Sequence, residues 1–459
     1  MLSKEIYNID SIIVGAYVVI IFLVGIYNRA TPGSLQNYSH IEKSIRTNRL
    51  ILAATIFATA VGGGTTFGLT EKTFSGNTAY SYALILTIPI DILIGIYIVP
   101  KISKYYGAIS IGDIMWKHYG NLGRVMAGIG VVVSSAGYLA AQISVSGYLL
   151  SDIFGLNYIS SLIISYTMLI IYTSIGGLRS IIISHSLQFC AMIIGIPLLS
   201  FFGLQKLGIL DFLANIPVEK YSLNNDIVLH DTILLALSFS VVGCYPTLLQ
   251  RAMLNKESRY VTQAIIIKSI IYAFFIACIT LNGFISYELF PNSISNMAML
   301  NTINEIVPSG IRAIVIIGFL SAAMSTADTD LNIAALSVSR DIFMPLFNIK
   351  TPSILVMIAK ITTIIIGLTA LYISINFTNV VDIVLTIAAL WAPFIVVPFI
   401  GAIFGKEISK TLLVVNSLCA IIGCYIWEKF AFSTLKGVFV GTVINLICFI
   451  ISYHYVRRK

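Results

Sequence analysis

Apolar runs of roughly 20 residues recur along almost the whole chain, and that length restricts what it can become. A helix crosses the hydrocarbon of a bilayer with about 20 apolar residues. We read thirteen such spans, at 10–28, 50–70, 78–100, 122–150, 157–175, 180–202, 231–249, 262–286, 312–338, 353–375, 380–403, 411–427 and 438–456. The segments between them are short except 203–230 and 287–311, where surface helices are expected. Only 10% of the 459 residues are charged, against about 25% in an ordinary soluble domain. The expectation is an all-α polytopic membrane protein whose constant partner is the lipid bilayer. The six cysteines all fall in apolar segments, without metal-ligand spacing and without the pattern of a disulfide framework. The first apolar run has charged residues before it and no small-residue cleavage site after it, so a cleaved leader is not expected.

The net charge of +8 reads as topology rather than as nucleic-acid binding. With the N-terminus outside, 19 Lys and Arg residues fall on the inner side, Arg124, Arg251 and Arg340 among them. Seven fall outside, and Lys268 and Lys360 lie within spans, which completes the 28. Inner loops rich in Lys and Arg are the usual determinant of orientation. An odd number of spans and a cytoplasmic C-terminus follow, in a plasma or bacterial inner membrane. The same charges act as rulers. Arg49 and Lys72 bracket the second span, with their midpoint at Ala60–Val61, and Arg312 and Arg340 bracket the ninth, with its midpoint at Thr326. At about 1.5 Å per residue the ninth span covers about 42 Å, a bilayer with its headgroups. Ser325, Thr326, Asp328 and Asp330 are therefore deep, Asp330 being expected to turn toward the cytoplasmic side.

Inside the second span stands Gly62-Gly63-Gly64. Each glycine costs about 1 kcal/mol against alanine in a helix interior, and freed backbone groups find no partner in hydrocarbon. An unwound stretch from Ala58 to Thr66, facing a cavity, is predicted. A second interruption, Val242-Gly-Cys-Tyr-Pro246, lies in the seventh span, where Gly243 and Pro246 break the helix. Each break opens a run of five spans, 50–202 and 231–403, and an odd repeat length inverts the second run. Broken helices at corresponding places in inverted repeats point to a transporter's midplane site. The rest divides into a first helix with a cytoplasmic loop (1–49), an extracellular loop (203–230) and two peripheral helices (404–459).

On the ninth span Ala322, Ser325, Thr326 and Thr329 are spaced i, i+3, i+4, i+7 and share one face. Small residues and hydroxyls also serve plain helix packing. Asp328 weighs against that reading, because intramembrane carboxylates are costly and usually mark ion or proton pathways. A hard cation such as Na⁺ needs oxygen ligands. Hydroxyls on the intact ninth helix and carbonyls on the interrupted second would supply them near the midplane.

Four motifs in register carry a resemblance: Ala58-Thr-Ala-Val-Gly-Gly-Gly-Thr-Thr-Phe-Gly68; Tyr172-Thr-Ser-Ile-Gly-Gly-Leu-Arg-Ser180 leading to Gln188; Gln250-Arg251; and Ser321-Ala-Ala-Met-Ser-Thr-Ala-Asp-Thr-Asp-Leu331 followed by Arg340-Asp341. Over roughly 40–345 the chain resembles the sodium:solute symporter family. The resemblance implies a leucine-transporter-like inverted-repeat fold with alternating access. It also implies a Na⁺ site made of the Ala58, Val61 and Ala322 carbonyls and the Ser325 and Thr326 hydroxyls. Some members hold a second cation through an aspartate on the sixth span. Here Asp328 and Thr329 are kept, but the place of that aspartate reads Ile183-Ser184-His185. A neutral or protonating His185 beside Asp328 is the alternative to a second sodium.

Candidates for a solute shell are Thr65, Thr66, Gln142, Cys244, Tyr245 and Trp391, and free amides at the first break would favour a carboxylate. Asp91, in Pro89-Ile-Asp-Ile, is expected either to pair with a basic group or to hold structure. The triple glycine resembles choline transporters, yet Ala60 stands where their tryptophan is expected and no aromatic cage is evident. The function expected is Na⁺-coupled symport of a small polar solute, amino acid or organic carboxylate first, with no organic cofactor. Proton coupling, or a membrane sensor retaining the fold, are the alternatives. No His-Glu-x-x-His motif or catalytic cluster suggests an enzyme.

Overall fold

The computed structural model describes residues 7–28, 48–215, 226–376, 380–430 and 434–458. Most of the predicted cytoplasmic loop and the middle of the 203–230 loop lie outside the described residues. The described chain is helical, without a strand. Its main helices are α1 (Tyr7–Tyr27), α2 (Arg49–Ala60), α3 (Leu69–Phe74), α4 (Ala79–Leu93), α5 (Ile111–Phe154) and α6 (Tyr158–Leu207). There follow α7 (Asp226–Ser240), α8 (Pro246–Met253), α9 (Ser258–Leu289), α10 (Ile311–Ser337), α11 (Pro352–Asn376), α12 (Lys410–Phe430) and α13 (Gly437–Arg458). Short helices Ile209–Asn215 and Ser295–Ile306 occupy the two long connections, as expected.

Among the described residues nine helices are long and apolar enough to cross a membrane, or ten if the bent pair at the first break is one span. That measure does not reach thirteen, and the reason is local chemistry. The predicted span 157–175 runs into the next one with Gly177 (φ 67°) as the only non-helical residue between them. Span 231–249 is divided into α7 and α8 around Gly243 and Pro246, and span 380–403 into pieces at Ala388–Leu390, Ala392–Val396 and Val397–Ile403. Gly120 (φ 66°) makes a similar kink near the start of α5. Both kinks need the left-handed backbone that glycine adopts without steric cost.

The architecture is organised around α10. Every residue from Val315 to Ser337 is buried, and α10 packs chiefly on α5 and α6. By contrast α11 turns Ile361, Ile364, Ile365 and Leu368 outward, the face a membrane helix gives to lipid. Helix starts are capped. Asn48 Oδ1 accepts the Leu50 and Ile51 amides at 3.0 and 3.3 Å, which satisfies donors left open at the N-terminus of α2. At the head of α10 the fully buried Asp10 accepts the Gly310 amide at 2.7 Å and the Ala313 amide at 3.3 Å.

At the first break α2 stops at Ala60, and helix resumes as a π turn over Gly64–Gly68 before α3. The two arms are bent by 62°. The unwound part is thus Val61–Gly63, shorter than the predicted Ala58–Thr66. None of the three glycines has a positive φ. What they supply is room: a Cβ on Gly62 would lie 2.9 Å from Thr326 Oγ1, and one on Gly63 would lie 2.6 Å from Val145 Cγ2.

Candidate functional site

The close approach of α2 to α10 sets backbone oxygen against side-chain oxygen. Ser325 Oγ donates to the Ala58 carbonyl at 2.7 Å and lies 3.2 Å from the Ala322 carbonyl. Thr326 Oγ1 lies 3.4 Å from the Ala58 and 3.3 Å from the Ala322 carbonyl. Four of the five residues expected around a cation are therefore gathered in one spot, all buried. The fifth, Val61, is buried at the end of α2 with φ −96° and ψ 89°, its own amide bonded to the Phe57 carbonyl. The donor set, neutral oxygens only, suits a monovalent hard cation, and the hydroxyl hydrogens can turn away to leave lone pairs facing it.

One turn further along α10 lies a buried polar chain. His185 Nε2 is 3.0 Å from Asp328 Oδ1, and its Nδ1 is 2.8 Å from Thr55 Oγ1. Thr329 Oγ1 lies 3.4 Å from His185 Nε2 and accepts from Arg251 Nη2 at the same distance. Arg251 is fully buried and also donates to Gln250 at 3.0 Å. Arg251, counted in the sequence among the inner loop charges, lies in a helix and is buried rather than in a loop. The half-helix α8 that follows the second break carries it under α10, where it meets the charge of Asp328 and Asp330.

Beside both breaks is a cavity of about 150 Å³. Its walls include Thr59, Thr65, Tyr138, Phe239, Tyr245, Tyr272 and Thr326, with Asp91, Lys268 and Asp330 as its charged members. A smaller space of about 80 Å³ shares Thr65, Tyr138 and Thr326 and adds Gln142. Of the solute-shell candidates, Thr65, Tyr245 and Gln142 line these spaces. Thr66 does not; it is buried and bonds to the Gly62 carbonyl at 2.9 Å. Cys244 and Trp391 do not either: the Trp391 indole N–H donates to the Cys244 carbonyl at 2.8 Å, so the pair braces the second break. Two of the amides expected to be free at the first break have partners. Gln142 Oε1 accepts the Gly63 N–H at 2.5 Å, and Thr65 Oγ1 accepts the Gly62 N–H at 3.0 Å.

Two charged features were weakly signalled or misplaced in the sequence. Asp330, expected to turn toward the cytoplasmic side, is buried; it stands four residues from Thr326, on the same face, and lines the cavity. Asp91 pairs with Lys268 at 2.5 Å. Two opposite charges stranded in separate apolar spans are a signal that could have been read as a pair. The ring wall of Tyr138, Tyr272 and Phe239 had no such signal, since aromatic residues are ordinary in apolar spans.

A helical membrane architecture with an interrupted helix laid against an oxygen-bearing one defines a class of transport fold, and comparison with known proteins agrees. The family model of the sodium:solute symporters matches residues 46–411. The chain belongs to that family. It is 22% identical to the sodium/pantothenate symporter of Escherichia coli over 349 residues, covering 72% of this chain and 71% of that protein. It is 23% identical to the sodium/pantothenate symporter of Haemophilus influenzae over 254 residues, which span about half of each protein (53% of this chain, 52% of the other). Among solved structures, the substrate-bound outward-open state of a Na⁺-coupled sialic acid symporter matches with a TM-score of 0.79 at 18% identity, over 98% of this chain and 97% of that one. At that identity the likeness establishes the fold, which is leucine-transporter-like.

Proposed function

We propose that this protein is a secondary transporter coupling inward Na⁺ movement to uptake of a small polar solute, an amino acid or organic carboxylate ranking first. The observation that carries the reading is the Ser325 hydroxyl bonded across to the Ala58 carbonyl at the end of the interrupted helix. A cation between these oxygens would join α2 to α10. Separation of the two helices as the cavity opens to the cytoplasm would dissolve the site, so ion and solute leave together. The relatives, named for sodium with pantothenate or sialic acid, support sodium as the coupling ion and an organic acid as one solute class. In this reading 50–202 and 231–403 are the two inverted halves, the N-terminus lies outside and the C-terminus in the cytoplasm.

A second cation is replaced by His185. Its ring fills the space between Thr55 and Asp328, so the coupling is one sodium ion per solute, and a proton on this pair is the alternative coupling ion. The test is uptake into proteoliposomes with imposed Na⁺ or proton gradients, after a thermal-shift screen of amino acids, carboxylates and sugars with and without Na⁺. Uptake driven by a Na⁺ gradient alone supports the sodium reading; uptake driven only by a proton gradient overturns it in favour of the alternative.

A further inference from the structure

Asp330 is a buried carboxylate to which the cation site gives no role. It is 4% exposed and lines the cavity. No hydrogen bond of its carboxylate is found among the described residues, and the charges that act on it, Asp328 and Arg251, are bonded to other groups. Asp91 holds Lys268, Asp328 holds His185, and Arg251 is bonded to Gln250 and Thr329. A carboxylate left in this state in a membrane interior is costly unless something completes it.

Charge balance says what that something is. Asp91 and Lys268 cancel. Asp328 and Asp330 face the single guanidinium of Arg251, so carboxylates outnumber the fixed cation on this side of the cavity. A solute that completes Asp330 must present a positive group to it, and a solute that also uses the Lys268 ammonium must present a negative one. We propose that Asp330 recognises a protonated nitrogen, so that the transported solute is a compact zwitterion of the amino-acid type. This rests on the reading of the cavity as the solute site.

The other end of the solute follows from the same geometry. A carboxylate cannot use the Gly62 and Gly63 amides, which are bonded to Thr65 and Gln142. Lys268 remains: its ammonium lines the cavity, held by Asp91 and lying 4.5 Å from the centre of the Tyr272 ring. Tyr138 and Phe239 complete a wall suited to a small apolar body between the charged ends.

The experiment uses the full-length protein in detergent, with the twenty standard amino acids and the 2-hydroxy acid counterpart of each as probes, and with sugars as a further arm. Binding is read by thermal shift and isothermal titration in Na⁺. At least one amino acid is expected to bind, its hydroxy-acid counterpart at least tenfold more weakly, because the hydroxyl leaves Asp330 without its cation. Asp330→Asn should weaken the amino acid at least tenfold while the stabilisation produced by Na⁺ alone remains. Asp330→Glu should keep the preference for the amine. Equal binding of amino acid and hydroxy acid, or binding of carboxylates or sugars with no amino acid bound, overturns the proposal, and the wild-type comparison decides this even if a variant does not fold. Loss of the Na⁺ requirement for whichever solute binds counts against the symport reading instead, so the two failures are distinguishable.

Discussion

The two helix breaks use different means to solve the same problem, an interrupted backbone inside a bilayer. At the first, Gly62 and Gly63 let the end of α2 approach α5 and α10 closely, and their two amides are bonded by Thr65 and Gln142. Its unwound part is only Val61–Gly63. At the second, the chain between Ser240 and Pro246 is longer, and one of its carbonyls is held by Trp391 from outside the pair of half-helices. The Asp91–Lys268 pair stands beside it, with Asp91 Oδ1 3.6 Å from where a Cβ on Gly243 would be. The first break is fixed by contact on every side and adjoins the proposed cation site. The second is braced by long side chains and, like the first, borders the cavity. Rigidity at the ion and adjustable walls at the solute are what this division supplies.

If the division is right, substitutions at the two breaks fail differently. The largest effect is expected from Lys268→Met, which leaves the partly buried Asp91 unpaired and should cost up to about 3 kcal/mol of stability. The double variant Lys268→Met/Asp91→Leu should regain most of that stability in thermal unfolding while still failing to bind solute. Next comes a matched pair of alanines. Gly62→Ala meets Thr326 Oγ1 and Gln142 at 2.9–3.1 Å, so Na⁺-stimulated uptake should fall at least a hundredfold. Gly243→Ala meets the movable end of Ile94 at 2.9 Å and should lose less than tenfold. Equal losses in the two would remove the contrast between the breaks.

Smaller effects separate the bracing residues. Gln142→Ala leaves the Gly63 amide without its acceptor and should destabilise by about 1–3 kcal/mol, measured as a lower unfolding temperature. Trp391→Phe keeps an aromatic ring but removes the indole N–H that donates to Cys244, at about 1 kcal/mol for the lost hydrogen bond, with sodium dependence unchanged. A larger loss at Trp391 than at Gln142 would reverse the assignment of rigidity.

The legible part of this structure was the part written in short-range pattern. Glycines and proline inside apolar runs located both breaks, and the i, i+3, i+4, i+7 spacing placed Ser325 and Thr326 on one face. Charge rulers put both elements at one depth, while the particular pairing of Ala58 with Ser325 came from the family resemblance and not from spacing. What could not be read was pairing across distance. Gln142 stands 79 residues from the amide it binds, and no local rule connects them. Arg251 looked like a loop cation because it follows a break closely, but a half-helix turned inward buries its charge. Helical phase puts Asp330 four residues from Thr326, yet its place on the cavity wall depends on the packing of other helices around α10.

The central claim is that the oxygens of Ala58, Ala322, Ser325 and Thr326 hold the sodium ion that drives transport. The most direct test is equilibrium binding of radioactive ²²Na⁺ to the purified protein and to Ser325→Ala/Thr326→Ala, with each sample's fold checked by its unfolding transition. The account predicts saturable binding near one ion per wild-type molecule and loss of that binding, together with Na⁺-stimulated uptake, in the folded double variant. Undiminished ²²Na⁺ binding by the folded variant, or full uptake in sodium-free buffer, would contradict it.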